Sequence, residues 1–267
     1  MTLEFAGSGL PLDEDGVSQV TDQLGVGQPE LWSVITVETR GCGFIADRRP
    51  VILFERHVFA LRTNHQFDAA HPDNSNRTAA GYGATGGHQY DRLQAAIALN
   101  RQAALESASW GIGQVMGFNA DVAGYSDVEA MVTAMMQSEN DQLMALTNFI
   151  ISNGLKNALS NHRWADFARG YNGQNFAINQ YDKKLANAFQ RFSQGGMPDL
   201  QARAAQLYLT YLNFNLGTID GFAGTNTFVA LNQFQQQQGL PVGNEVNDEI
   251  VTALRQAALP SANAAPA

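Results

Sequence analysis

The chain has 267 residues and a net charge of −9, and no Lys/Arg cluster interrupts that acidity, which excludes a basic nucleic-acid-binding stripe. Hydrophobic residues make up 45% and aromatics 9%, enough apolar surface for a buried core, so wholesale disorder is excluded as well. Cys42 is the only cysteine, which rules out an intrachain disulfide, and no uncharged apolar stretch reaches the length of a bilayer span.

The opening residues, MTLEFAGSGLPLDEDG, lack a basic segment followed by a long apolar one, so synthesis in the cytoplasm without an export signal of its own is the expectation. Val17, Val20 and Leu24 then share one helical face, which Gly25 and Gly27 end. Pro29 suits a helix start, and Leu31, Trp32, Ile35 and Thr39 recur at helical spacing until Gly41 and Gly43. Glu38 therefore falls in the last turn of a short helix. From Arg49 the run PVILFERHVF reads as a strand or hairpin arm, with Glu55 on it.

A polar loop from Asn64 to about Gly87 follows, long enough to suggest a functional role. Helical patterns then cover Arg92 to Ser107, Val128 to Ser152, Trp164 to Gly170 and Lys183 to Phe192. The first part is thus α+β, mostly helical with a small β element. Ser193 to Asp199, SQGGMPD, reads as a linker, after which Leu200 to Asn213, Thr225 to Gln238 and Asn247 to Ala258 form a small three-helix part. The expected division is 1–192, a linker over 193–199, a second domain over 200–259 and a frayed tail over 260–267.

Glycoside hydrolysis requires a protonated carboxyl beside the leaving oxygen and usually a second carboxylate. Glu38 follows an apolar helix face and precedes a glycine turn, an arrangement that can present a desolvated carboxyl to a cleft, although the same residue could simply be a solvated surface glutamate. Other signals carry no chemistry. GYGATG at Gly81 to Gly86 satisfies a dinucleotide-binding spacing but has no framing strand and helix, and no H-E-x-x-H, paired C-x-x-C or G-x-S-x-G occurs. Cys42 has no partner histidine in a nucleophile pattern and reads as a small packing residue; His57 and His88 read as structural or loop residues.

Five segments in order decide between the two readings of Glu38: VETRGCGF, ILFERHVF, ALESASWGIGQVMGFN, MVTAMMQSENDQLMALTNFI and WADFARGYNGQNFAINQYDKKLA. Together, over about Leu12 to Phe192, they resemble the N-acetylmuramidase family of phage endolysins and, more distantly, goose-type lysozymes and lytic transglycosylases. The resemblance implies a lysozyme-like fold with Glu38 as catalytic acid. It also implies a cleft lined by Tyr171 and Asn172, the tyrosine being able to orient the acid, unless Tyr171 is only a packed core aromatic. In SASWGIGQVMG the glycines permit close backbone approach, and Gln114 can bind a sugar acetamido group or serve as a buried structural amide. Glu55 is the candidate second carboxylate, or else an ion-pair partner of Arg56; Glu106 could form an internal pair supporting the cleft.

The second part resembles the three-helix peptidoglycan-binding domains of wall hydrolases, through NFNLGTIDGFAGTNTFVALNQFQQQQGLPV, with Thr225 where family members usually carry proline. Together the resemblances imply hydrolysis of the β-1,4 bond between N-acetylmuramic acid and N-acetylglucosamine. They also imply peptidoglycan as partner, a monomer, no metal or organic cofactor, and action on the wall after release from a host cytoplasm. The alternatives are a lytic transglycosylase on the same fold and an inactive wall-binding phage protein. A linker-separated layout further predicts that truncation after Gly196 leaves the first part folded and active.

Overall fold

In the computed structural model, residues 3–39 and 41–259 are described; the expected frayed tail at 260–267 lies outside them. Asp13 opens helix α1 (Glu14–Leu24) by accepting a hydrogen bond from the Gly16 amide, and Gly25, in the left-handed conformation at φ 61°, closes it. Val17, Val20 and Leu24 are buried along its inner face, against α7 (Glu139–Ser152). Helix α2 (Gln28–Thr39) buries Leu31 through Ile35, and its main neighbour is α10 (Tyr181–Gln194), which contributes Leu185, Ala188 and Phe192.

The predicted strand arm is shorter than its apolar run. Strand β1 (Ile52–Phe54) stops after three residues, and the chain turns into helix α3 (Arg56–Arg62). The reason is tertiary. Antiparallel partner β2 (Ala108–Trp110) pairs Ile52 with Trp110 and Phe54 with Ala108, and beyond Phe54 one bond, from the Glu55 amide to Ser107 O, ends the ladder at the C-cap of the helix before β2. Short apolar runs suit either state, and here helical spacing is what buries Phe59 and Ala60. β3 (Val115–Met116) completes a sheet of order β1-β2-β3.

The predicted helix over Arg92 to Ser107 is two, α4 (Gly87–Ile97) and α5 (Arg101–Glu106), because the Asn100 side chain caps a new start on the Ala103 amide. Likewise Ser138 splits the next run into α6 (Val128–Met135) and α7. Short α8 (Lys156–Ser160) and α9 (Trp164–Asn172) lead to α10. The chain ends in α11 (Leu200–Tyr211), α12 (Thr225–Gln238) and α13 (Asp248–Ala258), the three helices read from the sequence. Among the described residues, none of these helices is long and apolar enough to cross a membrane.

The segment over 193–199 is not a free tether. Helix α10 runs through Gln194, the Asp199 amide donates to Gly221 O at 3.0 Å, and the Asp199 side chain caps α11 on the Ala202 amide at 2.7 Å. There are two apolar cores, and the second one, built on α11, α12 and α13, also takes in Cys42 and Phe44 from the loop after α2. At the join, Arg203 of α11 and Glu139 of α7 form an ion pair with 0% exposure on both sides. Tyr211 of α11 donates its hydroxyl to Gly9 O at 2.8 Å.

Truncation after Gly196 therefore differs from what a linker-separated layout predicts. It removes the guanidinium from a buried carboxylate and uncovers Cys42 and Phe44. Breaking a buried pair costs about 3 kcal/mol or more, which at this chain length lowers the melting temperature by roughly 6 °C or more. Calorimetry of the truncated and full chains measures this; equal melting of the first part in both would show that the join contributes nothing.

Candidate active site

Glu38 ends α2 beside the last turn of α9, where Asn172 donates its amide to Glu38 Oε1 at 3.2 Å. The residue is half-buried, but its carboxyl has little water and a single neutral donor. Desolvation pushes its pKa from the ordinary 4.5 up to about 7; the Asn172 amide and, more weakly, the Lys184 ammonium oppose the rise. A carboxyl so placed holds its proton close to neutral pH. The other amide atom of Asn172, Oδ1, is buried with no hydrogen-bond partner among the described residues.

Tyr171 lies one residue before Asn172, with its ring stacked on Phe167 and edge-on to Phe149. Its hydroxyl donates to Gly113 O at 2.5 Å rather than to the carboxylate. The tyrosine is thus both a packed aromatic and a tie between α9 and the β2–β3 turn. Burial, then the nearby Glu38 charge, raises its pKa well above the usual phenol range.

Glu55 is not on a strand arm; it is the residue before α3, and its backbone amide donates to Ser107 O at 2.9 Å. Its side chain is 21% exposed, and its ion-pair partner is His57, with Nε2 3.5 Å from Oε2, rather than Arg56. Burial raises the pKa of Glu55 and His57 partly offsets that rise. His57, which the sequence left as a structural residue, is thus the neighbour of the second carboxylate, and its Nδ1 is buried without a partner among the described residues.

Two aromatics missed in the sequence connect the carboxylates. Tyr181, at the start of α10, is raised in pKa by burial and then by the charges of both Glu38 and Glu55; Tyr82, in the loop before α4, by burial and then by Glu55. Both carboxylates thus lie close enough to Tyr181 to act on its hydroxyl. The only sequence signal for Tyr82 was an aromatic inside a glycine-rich polar loop, and that loop is held by Gln89, whose amide donates to the carbonyls of Tyr82 and Ala84, each at 2.7 Å.

Gln114 takes the structural alternative. Its Nε2 donates to Gly111 O at 2.9 Å and Val51 O at 3.2 Å, and its Oε1 accepts from the Ser109 hydroxyl at 2.8 Å, so both amide hydrogens are used within the fold. The turn over 111–114 leaves carbonyls that need a donor, and Gln114 supplies it. The nearby glycines serve packing rather than sugar approach: a Cβ at Gly113 would stand 2.7 Å from Leu146 Cβ, and one at Gly117 only 2.1 Å from Leu105 O. Glu106 pairs internally with Arg62 at 3.1 Å and accepts from Gln102 at 3.0 Å. Cys42 is buried and its thiol is pushed up to about 12 by burial and then by Glu139, which leaves no thiolate nucleophile. His88 sits on the surface beside Asp91.

Among the described residues, no group of three or more His, Cys, Asp or Glu side chains is placed to hold a metal ion. A cavity of about 580 Å³ lies away from Glu38, at the join, lined by Ile45, Arg48, Tyr211 and Asn213 among others. None of Glu38, Glu55, Tyr171 and Asn172 lines that cavity.

The Glu38 environment has a consequence for stability. A carboxyl whose folded pKa lies above its unfolded one leaves stability unchanged below about 4.5; as pH rises toward 7 the unfolded chain releases the proton first, and stability falls. Glu38→Gln abolishes this loss. Its melting temperature should match the wild type near pH 4 and exceed it near pH 8, as read by circular dichroism. A constant difference across that range would contradict the raised pKa.

Comparison with known proteins identifies the family. Residues 27–193 match the family described as N-acetylmuramidase, and residues 199–254 match a putative peptidoglycan binding domain. The crystal structure of Burkholderia AP3 phage endolysin superimposes with a TM-score of 0.62 at 39% identity, over 68% of this chain and 71% of that one. Curated proteins yield no match. With a family match over more than half its length and a solved relative of this identity, the chain belongs to the N-acetylmuramidase family.

Proposed function

We propose that this chain is an endolysin-type muramidase that hydrolyses the β-1,4 bond between N-acetylmuramic acid and N-acetylglucosamine in peptidoglycan, with residues 1–192 as catalytic unit and 200–259 as wall-binding unit. The observation that carries the reading is Glu38, a carboxyl whose pKa burial raises to about 7, with a second carboxyl, Glu55, acting on the same neighbouring Tyr181. In this reading Glu38 donates its proton to the glycosidic oxygen as the bond to the sugar C1 breaks, and Asn172 keeps the carboxyl aimed. Glu55, made more basic than an exposed glutamate by burial, takes a proton from the attacking water as that water bonds to C1. His57 favours the ionised state that this step needs.

Tyr82 and Tyr181 are the aromatic surfaces proposed to pack against sugar rings, the role that Gln114 leaves open with its amide turned inward. The match over 199–254 supports peptidoglycan as the partner of the second unit, and the likeness to a phage endolysin supports action on the wall after release from a host cytoplasm.

Product chemistry tests the reaction. Digests of purified peptidoglycan should carry reducing N-acetylmuramic acid ends by mass spectrometry; mainly 1,6-anhydro ends would replace hydrolysis with transglycosylation, which needs only Glu38. Glu38→Gln should lose activity by about 100-fold or more while still co-sedimenting with sacculi, and that retained adhesion separates a catalytic defect from a wall-binding one. Glu55→Gln should lose about as much if it handles the water; normal turnover in that variant would remove Glu55 from the mechanism and leave Glu38 in place.

A further inference from the structure

Most of what α11 contributes to the catalytic unit converges on the loop directly after the Glu38 helix. Arg203 donates through Nε to Gly41 O at 3.0 Å and through Nη2 to the same oxygen. It also grips Glu139, with Nη2 on Oε1 at 2.6 Å and Nη1 on Oε2. Glu139 in turn accepts from the Gly43 amide at 2.8 Å and the Leu12 amide at 2.9 Å. Gly41 itself stands at φ 106°, and a Cβ there would meet Ile219 O of the C-terminal unit at 2.9 Å.

From that loop a continuous chain of hydrogen bonds reaches the catalytic groove. Gln142 donates to Gly43 O at 3.3 Å and accepts from the Ile112 amide at 2.7 Å. Ile112 O accepts from the Thr39 hydroxyl at 3.2 Å, one residue beyond Glu38. The next carbonyl, Gly113 O, holds Tyr171, whose neighbour Asn172 aims the carboxyl. Both sides of Glu38 are thus referred to a frame that Arg203 closes from the other unit.

We infer that Arg203 of the wall-binding unit is a positioning residue for catalysis: by clamping Gly41 and Glu139 it fixes the end of α2, so that the C-terminal helices complete the catalytic unit as well as anchoring it. This rests on the reading of Glu38 as the acid. A displacement of the acid by about 1 Å is worth up to roughly 100-fold in rate, whereas a pure anchor changes only how much substrate is held nearby.

The experiment uses the full-length chain and a soluble, peptide-free glycan oligomer, on which wall anchoring has no effect. Arg203→Lys keeps the buried positive charge for Glu139 but cannot hold Gly41 O and both carboxylate oxygens together. We expect its kcat to fall about tenfold or more, with KM within about twofold and co-sedimentation with sacculi retained. Val132→Ala, a buried α6 change outside the join and the groove, gives a comparably destabilised control that should keep its kcat when assayed well below its melting temperature.

If Arg203→Lys keeps wild-type kcat, or loses no more than Val132→Ala, the inference is overturned and the pair is only structural. Should the lysine variant not fold, Phe44→Leu loosens the same docking without touching a charge and is read identically. Glu38→Gln assayed in parallel separates the two readings: full activity there refutes Glu38 as the acid, whereas an inactive Glu38→Gln beside an unimpaired Arg203→Lys refutes only the positioning role.

Discussion

Glu139 and Arg203 sit where neither can reach water, and a charge in that position costs several kcal/mol unless its hydrogen-bonding valence is filled. Both oxygens of Glu139 are filled by donors from three places: Leu12 before α1, Gly43 after α2, and Arg203 in α11. The guanidinium also donates through Nε and Nη2 to Gly41 O. Glu139 is also the first residue of α7, where the Ser138 cap and the helix N-terminus favour a negative charge. Four segments distant in sequence therefore share one solution. Displacing any of them strands a buried charge.

The proposed catalytic acid shows the same physics with the compensation withheld. Glu38 has also lost most of its water, yet it receives only the Asn172 amide and a distant ammonium. Desolvation without a bonded cation keeps a proton on the carboxyl, and an acid catalyst needs that proton. Glu55 is intermediate, with partial burial set against a histidine at 3.5 Å. Three glutamates in one fold thus differ through the number and charge of their donors rather than through residue type.

The frame around the groove is stiff for an equally local reason. The β2–β3 turn is closed by Gln114, pinned to α7 through Gln142 and to α9 through Tyr171, and its glycines, Gly111 and Gly113, let α7 approach the turn backbone directly. A rigid turn beneath Tyr171 and Asn172 keeps the amide donor to Glu38 in register with the end of α2. The join with the C-terminal unit bears on this same frame, which is how a wall-binding unit comes to bear on the chemistry.

Local patterns were legible where one side chain or one periodicity decides the outcome. The face of Val17, Val20 and Leu24, the glycine stop after Leu24, the three C-terminal helices and the place of Glu38 at a helix end all follow from spacing and capping, which act within a few residues. Ordered motifs were enough to indicate the family. Glu55 was legible as a carboxylate near the site but not as the residue before a helix, because the length of β1 depended on a partner strand more than fifty positions away. Gln114 and Tyr171 could be read as sugar-facing or structural until their hydrogen-bond partners were known, and those partners, Val51 and Gly113, lie far off in sequence. Tyr82 and Tyr181 came near the carboxylates only through packing. The segment over 193–199 had the composition of a linker, and composition reports the freedom of a chain in isolation; whether that freedom survives was decided by a buried ion pair whose partners are 64 residues apart.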